Sequence, residues 1–192
     1  MAERAALGAV SGNVIDRAGF AITSIHPTSL LGPILLPPRS PRDFNAFNRM
    51  ISKLLMGAFA HGLPPNEPFG WADVRDVALA HVRALETPAV ADQRITISAG
   101  KCDYNEICEI VRRVSPEYAT RMPPASAPDD ESLRDKANGV DAGHSLELVD
   151  LNCRPLLDSV TDVVRSLESA GVVKPPSGQT LEEVLEHFLR QD

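Results

Sequence analysis

The segment Trp71-Ala-Asp-Val-Arg-Asp-Val-Ala-Leu-Ala-His81 changes its hydrophobic pattern partway along. Residues 71–74 predict a short strand, whereas residues 76–86 carry Val77, Ala80 and Leu85 on one face at helical spacing. Residues 94–98 then alternate between polar and apolar side chains, which predicts a second strand. A strand, a helix and a strand in this order favour an α/β fold with a parallel sheet.

The segments on either side continue this alternation. Residues 2–17 predict a helix ended by Gly19, and residues 20–25 predict a strand that closes at His26-Pro27. Further helices are predicted at residues 43–60, 104–114, 157–170 and 181–189. Asp43 is a possible cap of the first, and Asp103 caps the second, with Glu106 completing a capping box. Gly171 ends the third. Residues 30–41, 61–70 and 115–143 predict loops, and residues 146–155 predict a short irregular stretch.

Composition excludes several classes of protein. The 192 residues suffice for one domain or for a large part of a longer protein, and 43% hydrophobic with 23% charged residues is typical of a globular chain. A net charge of −7 argues against a nucleic-acid binder, and no apolar run is long enough for a membrane span. The start of the chain carries no signal-peptide pattern, and the three cysteines are sparse, so a reduced, cytoplasmic protein is expected.

Common catalytic and metal-binding motifs are absent from the sequence. It contains no Gly-x-Gly-x-x-Gly, no Walker A loop, and no Gly-x-Ser-x-Gly around Ser29. The five histidines are scattered, so no metal site is predicted, and His81 is interpreted as a packed or capping residue. Asp73 and Asp76 flank Arg75 at a strand-to-helix junction, where a helix cap with a salt bridge is favoured over catalysis.

Four stretches nevertheless resemble, in the right order, the motifs of extended short-chain dehydrogenases/reductases. They are His26-Pro-Thr-Ser-Leu-Leu-Gly-Pro33, the 71–81 segment, Gln93-Arg94 with residues 95–100, and Arg154-Pro-Leu156 with Ser159 and Val163. Within this NAD(P)-dependent epimerase/dehydratase family, the chain most resembles the dihydroflavonol-4-reductase-like branch, which includes fungal and yeast NADPH-dependent aldehyde and ketone reductases. The resemblance covers residues 2 to about 170.

The resemblance implies the C-terminal portion of a Rossmann-like parallel sheet with a small, mostly helical substrate-binding region, and thus an incomplete domain. Residues 1–33 would be the last part of the Rossmann-like core, residues 34–170 the substrate-binding region interleaved with the remaining strands, and residues 171–192 a C-terminal helical extension. By the family's register, the Gly-rich loop and the catalytic Ser, Tyr and Lys would precede Met1. No catalytic residue is therefore assigned within the chain.

The resemblance also implies a partial NADP site and a substrate pocket. The cofactor would contact Pro27 and Leu30, with Thr28 and Ser29 beside them, largely through the backbone. Substrate-binding residues would be Asn45, Phe47 and Trp71, in a pocket walled by segments 34–60 and 116–145. Where the family often has Leu-Asn-x-Ser, the chain reads Phe44-Asn-Ala-Phe47, and the aromatic ring in place of the hydroxyl predicts a more apolar pocket.

The leading interpretation is a truncated NAD(P)H-dependent ketone or aldehyde reductase of secondary metabolism, inactive as the isolated chain. Its partner would be a small-molecule carbonyl compound, with no nucleic acid and no membrane involved. Two alternatives are a non-catalytic pseudo-reductase that binds a ligand or partner, and a fragment of a nucleotide-sugar epimerase or dehydratase. Because half of a wound sheet leaves a strand edge exposed, self-association through that edge is also expected.

Overall fold

The computed structural model describes residues 21–36, 38, 40, 43–63, 68–124 and 140–176, so the helices predicted at residues 2–17 and 181–189 lie outside the described residues. The described strands are β1 (Ser24–Pro27), β2 (Ser29–Leu31), β3 (Phe69–Asp73), β4 (Arg94–Ile97) and β5 (Gly100–Cys102). The described helices are α1 (Ala46–Leu55), α2 (Val74–Glu86), α3 (Tyr104–Val114), α4 (Gly143–Leu148) and α5 (Leu156–Ser169), with 3-10 helices at Pro88–Val90 and Pro116–Arg121.

The strands form two small sheets. β1 pairs with β4 in parallel, and β2 pairs with β3 in parallel, with Leu31 opposite Asp73. β5 adds to the other edge of β3 in the antiparallel sense. The α/β class with parallel pairing is thereby confirmed. β3 precedes α2 and β4 follows it, but these two strands lie in different sheets. Each of them pairs in parallel with a strand from residues 24–31.

Side-chain caps set the starts of α1, α2 and α3. Asp103 accepts a hydrogen bond from Glu106 N at 2.8 Å and so caps α3, as predicted. The start predicted for α1 at Asp43 is wrong, because Asn45 Oδ1 accepts from the amide of Asn48 at 2.8 Å and the helix begins at Ala46. It ends at Leu55, short of the predicted residue 60, because Gly57 adopts a φ of +87°.

Other element boundaries also differ from the prediction. Phe69 and Gly70 were expected in a loop but belong to β3, because they pair with β5. α2 begins at Val74 rather than Asp76, because the Asp73 side chain caps it through Arg75 N. β1 extends through Pro27, and proline is tolerated there because β1 is an edge strand among the described residues.

Two segments that were expected to be irregular form short helices. Part of the predicted irregular stretch 146–155 lies in α4, which packs against β4. The 3-10 helix Pro116–Arg121 occupies part of the predicted 115–143 loop, and it carries the fully buried Tyr118. Residues 125–139 of that loop lie outside the described residues.

The buried side chains form two clusters that share the strands. One cluster joins α1, α3 and α5 through Ile51, Leu54, Ile107, Val111 and Leu167, among others. The second joins α2 and α4 to the strands through Ala80, Ile95, Ile97 and Val149, among others. Gly171 ends α5 as predicted, at a φ of +71°, with its N–H donating to Glu168 O at 2.9 Å. None of the helices in the described part of the chain combines the length and the apolar character needed to cross a bilayer.

Candidate functional site

The predicted cofactor-binding residues lie where the chain passes from one sheet to the other. Pro27 is the last residue of β1, and Ser29 and Leu30 open β2. Between the strands, Thr28 donates from its backbone N–H to Ile97 O at 3.0 Å, and its hydroxyl lies 3.3 Å from the same carbonyl. Ligands of parallel sheets bind at the carboxyl ends of the strands, and segment 27–30 occupies such an end.

Within this segment, Ser29 and Leu30 belong to a strand at the edge of its sheet. Ser29 and Leu30 lie opposite Trp71 and Ala72 on β3, and among the described residues no strand covers the other edge of β2. Backbone N–H and C=O groups on an uncovered edge are free to meet a ligand. The Thr28 hydroxyl and backbone N–H, in contrast, both already contact Ile97 O of β4.

The three predicted substrate-binding residues have different surroundings. Asn45 is exposed, but its side-chain oxygen accepts from the first amides of α1. Phe47 is half-buried, and its ring centroid lies 4.6 Å from that of Phe69. Trp71 is only 3% exposed, belongs to the core cluster of α1, α3 and α5, and lies opposite Ser29 in the pairing of β2 with β3. Asn45 and Phe47 thus lie at the start of α1, and Trp71 lies beneath the surface.

Sequence reasoning missed two aromatic residues that join Phe47. The ring of Phe69 lies between Phe47 and Tyr104, with a centroid distance of 5.4 Å to Tyr104. We name Phe47, Phe69 and Tyr104 the aromatic group. Phe69 and Trp71 point to the same face of β3 because they are two residues apart, and Trp71 lies opposite Ser29 of β2. The alternation of Pro68-Phe69-Gly70-Trp71 could have indicated an earlier strand start.

A buried carboxylate fixes the carboxyl end of β3 to α5. Asp73 is fully buried and accepts from Arg75 N at 2.8 Å, Arg75 Nε at 2.9 Å, Arg75 Nη2 at 2.7 Å and Ser159 Oγ at 2.6 Å. Burial alone would raise its pKa, but the hydrogen bonds from Arg75 and Ser159 outweigh burial and hold the pKa below its usual value. Arg75 also donates to Asp162 at 2.7 Å.

The neighbouring Asp76 has a similar role. It is buried, accepts from Arg154 N at 2.8 Å, and forms a salt bridge with the Arg154 side chain. The predicted cap and salt bridge at Asp73, Arg75 and Asp76 are therefore confirmed. The interpretation of His81 as a packed or capping residue is wrong, because His81 is exposed in the middle of α2, where its Nδ1 lies 2.7 Å from Val77 O one helical turn earlier.

The thiols of the chain are poor nucleophiles. Burial raises the pKa of Cys108 to about 11, and it raises the pKa of Cys102 further. Cys153 is half-buried, and burial also raises its pKa. A thiolate is therefore scarce at neutral pH at all three positions. Among the described residues, no group of three or more His, Cys, Asp or Glu side chains is placed to hold a metal ion.

A cavity of about 600 Å³ opens beyond the end of β2. Its walls come from the chain after β2, including Leu35 and Leu36, and from the start of α1, including Phe44 and Asn48. Gly32 forms its inner end at a φ of +135°, and a Cβ there would lie 2.7 Å from Val74 Cγ1. Only glycine therefore allows the end of β2 to lie this close to the start of α2.

Comparison with known proteins connects this arrangement to reductases. No protein-family model matches the chain. It is 36% identical over 170 residues to the ketoreductase azaE of Aspergillus niger, an alignment that covers 86% of this chain and 48% of that protein. It is 31% identical over 168 residues to the cinnamoyl-CoA reductase CAD2 of Medicago truncatula, covering 88% of this chain and 46% of that protein.

The solved structures agree with the sequence relatives. The crystal structure of Gre2 from Candida albicans in complex with NADPH superposes with a TM-score of 0.74 at 27% identity. The superposition covers 88% of this chain and 49% of that one. The chain therefore spans about half the length of the relatives it matches. The α/β elements described above correspond to part of a larger Rossmann-like domain in those proteins.

Proposed function

We propose that this chain, a member of the short-chain dehydrogenase/reductase family, provides the substrate side, that is, the substrate-binding part, of an NADPH-dependent ketone or aldehyde reductase. Its membership of the family is shown by its ketoreductase, cinnamoyl-CoA reductase and Gre2 homologues. The observation that carries the proposal is the 36% identity to a ketoreductase across 86% of the chain. The domain limits expected at residues 33 and 170 stay predictions and are part of this proposal. The same holds for the cofactor-binding and substrate-binding residues assigned above.

The proposed role of segment 27–30 is to orient the cofactor. NADPH, when bound, supplies the hydride that is transferred to a carbonyl carbon. The uncovered backbone edge of β2 at Ser29 and Leu30 would hold the carboxamide of its nicotinamide ring. Holding reacting groups in place in this way accounts for a large part of enzymatic rate acceleration.

The aromatic group would form the wall that excludes water from the carbonyl. Phe47 occupies the position where related reductases often carry a serine, and its contact with Phe69 extends an apolar surface along the face of β3 that also carries Trp71. Asn45 would contact substrate through its amide nitrogen, because its oxygen already caps α1. Trp71 would support this wall from the core. An apolar wall of this kind favours carbonyl compounds with hydrocarbon substituents.

The proton donor is not found within the 192 residues. The family's Tyr-x-x-x-Lys pattern is absent, since Tyr104 is followed four residues later by Cys108 and Tyr118 by Met122. Tyr118 is also fully buried, and its pKa is raised by burial and by its hydrogen bond to Glu168. General acid catalysis contributes about 10²–10⁴ in rate. We therefore propose that the 192-residue chain alone does not reduce carbonyl compounds.

The test compares the chain with a chimera. The chain alone and a fusion of the chain to the nucleotide-binding half of the Aspergillus niger ketoreductase would be assayed for NADPH oxidation with a panel of aldehydes and β-ketoesters. We expect no turnover by the chain alone and turnover by the fusion, and the nucleotide-binding half alone serves as control. Turnover by the 192-residue chain would refute the account of the missing proton donor. A folded fusion that binds NADPH but reduces nothing would refute the proposed substrate side.

A further inference from the structure

Three cavities join into one groove along α5. The cavity beyond β2, of about 600 Å³, shares residues 33–35 with a second cavity of about 470 Å³. The second cavity shares Arg75 and Arg165 with a third, of about 690 Å³. Leu157 near the start of α5 and Ser169 at its end both line these cavities, so they follow the length of the helix. We name the joined cavities the α5 groove.

One part of the α5 groove is apolar and exposed. In the cavity beyond β2, Leu35 and Leu36 are 94% and 78% exposed, and Phe44 and Val74 lie in the same lining. Single exposed apolar side chains are common, but neighbouring ones that line a groove mark an interaction surface. Covering them lowers the free energy, because apolar area is removed from water.

The other part of the α5 groove is cationic. The charged residues of its largest cavity are Arg75, Arg113, Arg154, Arg165, Asp158 and Asp162. Arg75 and Arg154 already form salt bridges with buried carboxylates. Arg113 and Arg165 are exposed, and neither forms an ion pair with any residue that the structure describes. In the middle cavity, the apolar residues 33–35 and the guanidinium of Arg165 line the same space.

The chain contains a segment in which apolar and acidic residues are combined in a matching way. Residues 181–189 read Leu-Glu-Glu-Val-Leu-Glu-His-Phe-Leu, with apolar side chains at the spacing that predicts one stripe along a helix. At that spacing Glu182 and Glu186 border the stripe on one side, whereas Glu183 falls on the opposite face. An apolar stripe bordered by carboxylates is complementary to a groove that is apolar and cationic.

The described chain ends close to this groove. The backbone N–H of Val172 donates to Leu167 O at 3.0 Å, near the end of α5, where Ser169 lines the groove. A helix of residues 181–189 would be about 13 Å long, compared with about 21 Å for α5. Residues 177–180 can span about 14 Å when extended. The groove is therefore long enough for the segment, and the connection to it is short.

We propose that residues 181–189 bind in the α5 groove of their own chain. The apolar stripe would cover the two exposed leucines after β2, and the two glutamates that border it would face Arg113 and Arg165. Ion pairs with exposed arginines contribute little free energy, so apolar contact would supply the affinity and the charges would fix the orientation. The inference goes beyond the proposed reductase function and does not depend on it.

Hydrogen–deuterium exchange with mass spectrometry tests the inference on the full 192-residue chain. We expect the amides of residues 181–189 to exchange about tenfold more slowly than in a synthetic peptide of residues 177–192. Leu185→Asp places a charge within the apolar stripe, so this protection should be lost and the amides of residues 34–36 should exchange faster. Equal exchange in the chain and the peptide, or no response of residues 34–36 to Leu185→Asp, would overturn the inference.

Matched charge reversals test the orientation of the segment. Glu186→Arg should abolish the protection of residues 181–189, whereas Glu183→Arg, the same change on the opposite face, should leave most of it. Arg165→Glu should also abolish it, and combining Arg165→Glu with Glu186→Arg should restore it, because opposite charges would face each other again. Equal effects of the two glutamate variants, or no restoration in the combined variant, would overturn the pairing with Arg165.

Further controls locate the surface. Leu35→Ser should weaken the protection of residues 181–189, while Leu85→Ser, at a 90% exposed leucine on α2, should not. The reverse pattern would place the segment on α2 and overturn the inference. Protection that rises with protein concentration would indicate binding between copies and would overturn the assignment to a single chain. None of these outcomes changes what the fusion assay of the reductase proposal measures.

Discussion

The buried carboxylate of Asp73 provides the most direct test of what holds the end of β3, the start of α2 and α5 together. Asp73→Asn keeps the shape of the side chain, but its NH₂ group would face the donors of Arg75 and Ser159. Breaking a buried ion pair by removing one partner costs about 3–5 kcal/mol. In the variant, the Arg75 side chain, which is 33% exposed, would still form its salt bridge with Asp162. We therefore expect the free energy of unfolding to fall by an amount at the lower end of this range, about 3 kcal/mol.

The measurement is urea unfolding of the two proteins at neutral pH. With a dependence of about 2 kcal/mol per molar urea, the midpoint should fall by roughly 1.5 M. The matched control is Asp150→Asn, which removes the charge from the Arg83–Asp150 pair at 3.1 Å, in which the Asp150 side chain is 94% exposed. Exposed pairs contribute about 0–1 kcal/mol, so its midpoint should hardly move. Equal shifts for the two variants would refute the assignment of the stability to the buried network.

The same network makes stability depend on pH in a defined direction. The pKa of Asp73 is lowered in the folded chain, so the ionised carboxylate stabilises the fold at pH values above its ordinary pKa of about 3.9. That contribution is lost as the pH falls through the lowered folded-state pKa. The stability difference between the unmodified chain and Asp73→Asn should therefore be constant from about pH 7 to pH 5 and shrink below about pH 4. A difference that grew on acidification would contradict the hydrogen-bond account.

Two further predictions concern backbone and thiols. Gly32→Ala should destabilise the chain by about 2–5 kcal/mol, because the new Cβ would combine a positive φ with a 2.7 Å contact to a side-chain carbon. The control is Gly62→Ala, at a φ of +150° with nothing within 4 Å of the new Cβ. It should cost only the backbone strain of the positive φ, about 1–3 kcal/mol. Thermal or urea unfolding of the two variants measures the difference, and equal losses would show that the close approach costs nothing. The second prediction concerns alkylation by iodoacetamide at mildly alkaline pH. Cys153 should react first, and Cys102 and Cys108 should react only when the chain unfolds, because these two thiols are buried. Mass spectrometry of the labelled peptides measures the order, and early labelling of Cys102 or Cys108 would contradict the prediction.

Local sequence patterns predicted the features that depend on neighbouring residues. The cap of α3 at Asp103 and the end of α5 at Gly171 were both predicted, because each depends on hydrogen bonds within one helical turn. The start of α1 was not predicted correctly. Asp43 and Asn45 are both good capping residues, and the amide contacts that select Asn45 are visible only in the folded chain.

Features that join distant segments required the tertiary structure. The aromatic group brings Phe47, Phe69 and Tyr104 together, although no local pattern connects them. Arg121, in a segment expected to be a loop, is 6% exposed and donates to Leu55 O at 3.3 Å and Lys174 O at 3.0 Å. The role of Trp71 at the substrate site stays a prediction, and its burial in the core cluster follows from the packing of distant helices and strands.

The amino-acid sequence by itself determined the α/β class, most helix positions and the relationship to the reductases, because hydrophobic period and motif order are properties of the chain. The tertiary structure decided which polar groups are buried and which of them remain without a partner. Asp73 meets Ser159 across 86 positions, and Asn48 meets Gly32 but leaves its oxygen unpaired. Such pairings depend on how helices and strands pack. Once packing has excluded water, a paired polar group is held more strongly and an unpaired one costs more free energy.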